Sequence, residues 1–362
     1  MAMPTLTPCN AVPPKTEPKG ALRSLENNGR QTLRHLTLRS HVRRTLCASF
    51  AVAVLSGLAL TAAHAQSYPN KPIKFVIPFS AGSATDNVGR IIAQAMGDAM
   101  GQTITVENKA GANGILGAEA VKGAPADGYT FLVTTSTTQA ANVHLYRKLP
   151  YDPVKDFTPI GKIGETGFIL MVNTDFPAKD MKEFVAYAKA NPGKLAFGHG
   201  SSGSLVSAAM LTELAGLQAV NVPYKSIPPA LTDLLGGQIQ FAFADTGNAV
   251  SQMNGGRMRG LGVTTKKRAG KAPSVPPIGD TVKDYNVSAW FGLMAPAGIP
   301  VEVQKKATAT LMAVLAKPEV REKIQGVGID LDMEDSATLA KTIDAEIKKW
   351  GGWVKTAGII PE

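Results

Sequence analysis

Two short polar loops carry the residue types best suited to chemistry in this chain. The first is Phe79-Ser80-Ala81-Gly82-Ser83-Ala84-Thr85-Asp86 and the second is Gly198-His199-Gly200-Ser201-Ser202-Gly203-Ser204. Each follows an apolar run of strand length and opens a helical pattern. The first turn of a helix has unpaired backbone N–H groups and a partial positive charge, and small residues let a ligand reach them. An anion, most simply a carboxylate, suits such a place, and two such cradles across a cleft suit a ligand with carboxylates or other polar acceptors. Spacing alone also fits an ordinary βα junction. The candidate ligand-binding residues are Phe79, Ala81, Gly82, Ser83, Thr85 and Asp86 with Ser136 and Thr137, and, opposite them, Gly200, Ser201, Ser202, Gly203, Ser204 and Asp245. Asp86 and Asp245 each end or follow a strand, where each is either a helix cap or a partner for a polar ligand group.

Reactive constellations are missing around these loops. Gly198-x-Gly-x-x-Gly203 matches the dinucleotide fingerprint literally, but the strand that follows ends in Asn221-Val222-Pro223-Tyr224, without the acidic residue that would hold a ribose. A serine hydrolase of the Gly-x-Ser-x-Gly type lacks its pentapeptide here. Beyond residue 65 the only histidines are His144, read as a surface or packing residue, and His199, read as a loop or cleft-lining one. Two isolated histidines make no metal site. Lys225 either faces the cleft or is simply exposed. No catalytic residue, metal or cofactor is expected.

At the N-terminus, residues 45–62 form a moderate apolar stretch with Arg43-Arg44 before it and Ala63-His64-Ala65 after it. This reads as a secretory signal peptide cleaved after Ala65. A membrane anchor fits less well, because Ser56 and Gly57 interrupt a segment shorter than the roughly 20 residues of a span. Residues 1–41 lack a sustained apolar period and are not expected to fold; a start near Val42 would give an ordinary signal peptide. Of 38 Lys+Arg and 28 Asp+Glu, eight and two lie in residues 1–65, which leaves 30 against 26. The formal charge of +10 is thus largely a property of the leader, and nothing argues for nucleic acid. Cys9 and Cys47 both fall in the leader, so the mature chain has no thiol chemistry and no disulfide.

The positioning elements follow from pattern. Strand, helix, strand, helix, strand over residues 73–134 argues for a parallel sheet with right-handed crossovers. Open α/β sheets bind ligands at the carboxyl ends of their strands, where the small polar loops fall. Residues 145–159 read as irregular and 168–173 as a buried strand. A second βα series from 181 to 264 predicts a second lobe, and a strand at 287–296 is expected to return to the first. Helices are expected at 301–316, 319–326 and 336–356, with Trp350 and Trp353 as core anchors.

Many segments carry a resemblance to a known family. They include Tyr68-Pro69-x-Lys71-Pro72-Ile73, Pro78-Phe79 with the loop to Asp86, Val106-Glu107-Asn108-Lys109-x-Gly111-Ala112 and Asp127-Gly128-Tyr129-Thr130. They also include residues 149–157, Ala190-Asn191-Pro192-Gly193, Val222-Pro223-Tyr224-Lys225, residues 230–238 and Ser288-Ala289-Trp290-Phe291-Gly292. Over essentially all of residues 67–362 the chain resembles the tripartite tricarboxylate transporter substrate-binding (TctC/Bug) family. The resemblance implies an α/β, two-lobed periplasmic-binding-protein fold (Venus-flytrap, type II-like), each lobe a mostly parallel sheet flanked by helices. Lobe 1 is expected over 66–166 plus 291–362 and lobe 2 over 167–290, with hinges near 164–167 and 288–291. It implies a periplasmic receptor, expected to be monomeric, that closes on a small organic carboxylate and presents it to membrane transporter subunits. It also implies that loops 79–86 and 198–204 hold the carboxylate through N–H groups, hydroxyls and ordered water. A sensor feeding a signalling partner shares every one of these residues, and a secreted enzyme using the same loops is a more distant alternative. Four departures stand out: Ser83 where the family has a second Gly, Ser207 where it often has His, Ser226-Ile227-Pro228 in place of a Gly after Lys225, and Thr246-Gly247-Asn248 in place of an Asn-centred segment.

Overall fold

Four of the five residues of β1 (Ile73–Ile77) are buried, which is what a strand covered on both faces requires. The computed structural model describes residues 68–362, so the expected leader and both cysteines lie outside the described residues. Helix α1 (Ala84–Met100) buries Val88, Ile92 and Met96, one turn apart, and stops at Gly101, whose φ of +65° suits a residue without Cβ. Strands β2 (Ile104–Asn108) and β3 (Thr130–Thr135) flank β1 in parallel, with α2 (Ile115–Lys122) between them in sequence. A π-turn over Thr137–Ala141 and the short α3 (Asn142–Leu145) follow β3.

The second βα series runs α4 (Met181–Ala190), β5 (Leu195–His199), α5 (Ser202–Ala215), β6 (Ala219–Pro223), α6 (Ile227–Leu235), β7 (Phe241–Asp245), α7 (Thr246–Asn254) and β8 (Met258–Val263). Strand β5 pairs in parallel with both β6 and β7. Two long strands join the parallel sets: β4 (Phe157–Asn173) and β9 (Ser288–Pro296), antiparallel to each other and to their other neighbours. The main path is β2-β1-β3-β9-β4-β7-β5-β6, with β8 and β10 (Asp330–Asp335) pairing to β4. Thus the strands that carry the polar loops are parallel, as expected, while the connecting strands are not. Helices α8 (Val301–Ala316), α9 (Pro318–Gly326) and α10 (Ser336–Thr356) end the chain where the periodicity puts them.

Strand β4 begins eleven residues earlier than the buried run at 168 suggests, because Pro159, Gly161, Gly164 and Gly167 mask it. Those glycines have a packing reason. A Cβ on Gly164 would lie 2.3 Å from the Asp330 carbonyl oxygen, and one on Gly161 2.9 Å from that of Glu334, so β10 approaches backbone to backbone. Lys162, buried between them, reaches Glu165 at 2.8 Å, Asp332 at 2.5 Å and Glu334 at 3.4 Å. One apolar core joins Phe75, Ile92, Met96, Leu293 and Leu311 around β1. Another joins Phe168, Leu170 and Val172 of β4 to Phe184, Phe241 and Phe243, and it also takes in Leu145, Trp350 and Val354. Trp350 is the expected anchor, packed edge-on at 5.0 Å against Trp353, but its core lies on the side of residues 168–287.

Candidate functional site

Where the two parallel strand sets meet at β4 and β9, a cleft opens. The N-cap residues of α1, α5, α6 and α7, which are Ser83, Ser201, Ser226 and Asp245, all line it. Each of these helices follows a strand of its parallel set, so strand ends and helix heads converge there. Phe79, Ala84, Thr85, Thr135 and Thr137 complete one wall and Gly200 and Ile227 the other. Thr166 and Phe168 of β4, with Ala289 and Phe291 of β9, complete the lining. Neither lysine, arginine nor histidine lines this cleft among the described residues.

The loop amides divide into two groups. Gly82 N–H donates to Asp86 Oδ2 at 3.0 Å, Ser83 N–H to Ser80 O, Asp86 N–H to Ser83 Oγ and Asn87 N–H to Ser83 O. The amides of Ala84 and Thr85 have no acceptor among the described residues. In the second loop Gly200 and Ser201 both donate to Ser204 Oγ at 3.0 Å, Ser204 N–H donates to Ser201 Oγ, and Leu205 N–H donates to Ser201 O. Ser202 and Gly203 keep their amides unspent. Loop amides therefore hold the loops in shape, and the first two amides of each helix, which point out along its axis, stay free for an anion.

The candidates divide between those that line the cleft and those that do not. Phe79, Ser83, Thr85, Thr137, Gly200, Ser201 and Asp245 line the cleft; Ala81, Gly82, Asp86, Ser136, Ser202, Gly203 and Ser204 do not. Asp86 is a tie for its own loop, accepting from Gly82, Asn108 Nδ2 at 2.8 Å and Arg90 Nε at 3.0 Å. Burial pushes its carboxyl up, but Arg90, Gly82 and Asn108 outweigh that and hold it below the usual carboxylate range. Ser202 Oγ accepts from Asn113 Nδ2 at 2.6 Å and donates to Asn142 Oδ1 at 3.1 Å, which fastens the head of α5 to the turn after β2. Gly203 backs onto the cleft wall: a Cβ there would lie 2.1 Å from the Phe168 ring. Ser136 is buried beside the cleft, its hydroxyl without a partner among the described residues. His199 lies just behind the cleft, its imidazole pushed down to about 4 by burial, with Asn221 pulling weakly the other way. His144 is a packing residue bonded to the Ile347 carbonyl, and Lys225 is exposed.

Sequence reasoning missed Ala84, Thr135, Thr166, Phe168, Ser226, Ile227, Ala289 and Phe291. Ser226 had a signal, since a Ser before Ile-Pro-Pro at a strand end is a helix-start pattern. Its hydroxyl makes no capping bond and is buried without a partner among the described residues. Asp245 caps α7 through Asn248 N–H at 3.1 Å, while burial raises its carboxyl and the Asn248 bonds offset this only in part.

Comparison with known proteins gives a consistent result. The pattern of the family described as tripartite tricarboxylate transporter family receptor matches residues 88–359. Protein BugT of Bordetella pertussis is 30% identical, over 81% of this chain and 91% of its own. An R. palustris protein solved with adipate is 30% identical with a TM-score of 0.79, covering 82% of this chain and 100% of its own. MatC from Rhodopseudomonas palustris, solved with malate, is 31% identical with a TM-score of 0.73, covering 79% and 100%.

Proposed function

Because the chain belongs to the tripartite tricarboxylate transporter family of receptors, we propose that it captures a small organic carboxylate in the cleft between two lobes and delivers it to membrane transporter subunits from the periplasm. One observation carries the reading. Among the described residues the cleft offers an anion no cationic side chain but the unspent amides of Ala84 and Thr85 at the head of α1, together with the hydroxyls of Ser83, Thr85, Thr137 and Ser201. A singly charged, flat acceptor such as a carboxylate matches partial charges of this size. Among the described residues no helix is long and apolar enough to cross a membrane, which fits a receptor that meets its transporter from outside the bilayer.

Closure would be a bend in the ribbon formed by β4 and β9. Glu165 pairs with Trp290, Thr166 with Ala289 and Gly167 with Ser288, so both expected hinges lie side by side in one ladder. A ligand touching both walls shifts an open population toward a closed one. The test is a thermal-shift panel of mono-, di- and tricarboxylic acids on the purified protein. A true ligand at a hundredfold excess over its Kd should add about 2.7 kcal/mol of stability. A broad acid panel that leaves the melting temperature unchanged would overturn the reading.

A further inference from the structure

Asp245 is the charged side chain that the carboxylate reading does not use. It lies 6% exposed at the carboxyl end of β7, on the cleft wall beside Phe168, with which it pairs across the β7–β4 ladder. Its bonds all come from neutral groups of its own helix: Oδ1 accepts from Asn248 N–H at 3.1 Å and Nδ2 at 3.2 Å, and Oδ2 from the same Nδ2 at 2.9 Å. Two oxygens provide about four lone-pair positions, and one amide and one shared NH₂ do not fill them. No cation pairs with it among the described residues. A cap alone does not require this arrangement, since Ser, Thr or Asn would cap α7 without a buried charge. A carboxylate facing a cleft that is otherwise rich in donors and hydroxyls is complementary to a donor on the ligand and repels a second carboxylate placed against it.

We propose that Asp245 selects, among carboxylic acids, those that carry a hydrogen-bond donor, a hydroxyl or an ammonium group, on the carbon chain. The inference rests on the carboxylate reading above and deepens it. One end of the ligand, its carboxylate, goes to the amides at the head of α1 and the hydroxyl of Ser201, and the donor on its chain goes to Asp245 Oδ2. Burial raises the Asp245 carboxyl, so a ligand donor that satisfies it also relieves the unfilled acceptor.

The experiment compares matched acids by calorimetry on the purified wild-type protein: succinate, malate and aspartate, and then propionate, lactate and alanine. Within at least one series the hydroxyl- or amino-bearing acid should bind tenfold or more tightly than its parent. Asp245→Asn keeps the size and the helix cap, and it should shrink an amino-acid preference to threefold or less. The hydroxyl and ammonium arms also separate the two donors, because loss of the charge weakens the ammonium contact more. Equal binding of parents and donor-bearing acids overturns this inference and leaves the carboxylate reading standing. Binding of no acid in either series or in the wider panel overturns both. A preference that survives Asp245→Asn unchanged assigns selection elsewhere and also overturns it. The wild-type comparison needs no variant, so a variant that fails to fold does not shield the inference.

Discussion

Gly203→Ala probes the cleft wall from behind. The added Cβ would sit 2.1 Å from Phe168 Cζ and 2.7 Å from Cε2, far inside contact distance, and helix α5 fixes its position. The Phe168 ring is the movable partner. It is 4% exposed, packed with Leu170 and Phe243 on one side and bordering the cleft on the other, so the open direction leads into the cleft. Overpacking of this kind costs about 1–3 kcal/mol. For a folded chain of about 300 residues that lowers the melting temperature by about 1.5–2 °C per kcal/mol. A ligand must then push the ring back, so the same 1–3 kcal/mol is taken from binding, about 5- to 150-fold in Kd. Differential scanning fluorimetry gives the first number and calorimetry with the best acid of the panel the second. Phe168→Leu in the same chain should recover most of both losses, since two residues in contact couple. A Gly203→Ala protein that melts lower yet binds within twofold of wild type would refute the reasoning, because the ring would then have found room away from the cleft.

Gly82→Ala should behave differently: its Cβ meets nothing within 4 Å, so the φ of +79° sets the cost at about 1–2 kcal/mol of stability, with affinity unchanged by calorimetry. Ser226→Ala removes a buried hydroxyl that has no partner among the described residues, so the melting temperature should hold or rise slightly while ligand affinity falls by about 1 kcal/mol. A matching fall in unliganded stability would mean that the hydroxyl is structural. His199 gives a pH dependence with a definite sign. Its folded value of about 4 lies below an unfolded value of about 6.5, so the unfolded chain takes up the proton first. The stability it contributes is complete above about pH 7 and is lost as the pH falls toward 4, by at most about 3 kcal/mol. Urea unfolding of wild type and His199→Gln at pH 7.5 and pH 5 should show a gap that narrows in acid.

The βα series was legible because apolar runs and small-residue loops alternate at the expected lengths, and α10 was placed at 336–356 by its period alone. The first half of β4 was not, since its glycines answer to the close approach of β10, a contact made across more than 160 residues. The loops were found by their composition, but which amide serves which partner depends on side chains reaching back, as Asp86 does to Gly82 and Ser204 to Gly200 and Ser201. Sequence favoured Gly82 and Gly200 as points of contact, but their amides are spent on Asp86 and Ser204; the free donors belong to the residues just after Ser83 and Ser201. Thr166, Phe168, Ala289 and Phe291 carried no local mark, because a residue on a connecting strand becomes a wall only once two distant strands cross.

Strand β4 also works as a ruler between two cores packed on its opposite faces. Past Gly167 it sends Phe168, Leu170 and Val172 to the core of Phe184 and Phe241, and Ile169 and Met171 to a third core, with Ile227, Leu231 and Leu234, on its opposite face. Side chains alternate strictly along a strand, so one extra residue near Thr166 would exchange these two sets wholesale. Phe168 would leave the cleft in the same stroke. Evolution can therefore lengthen or reshape the turns that meet the solute, but the span that joins the two cores has a length it cannot edit one residue at a time.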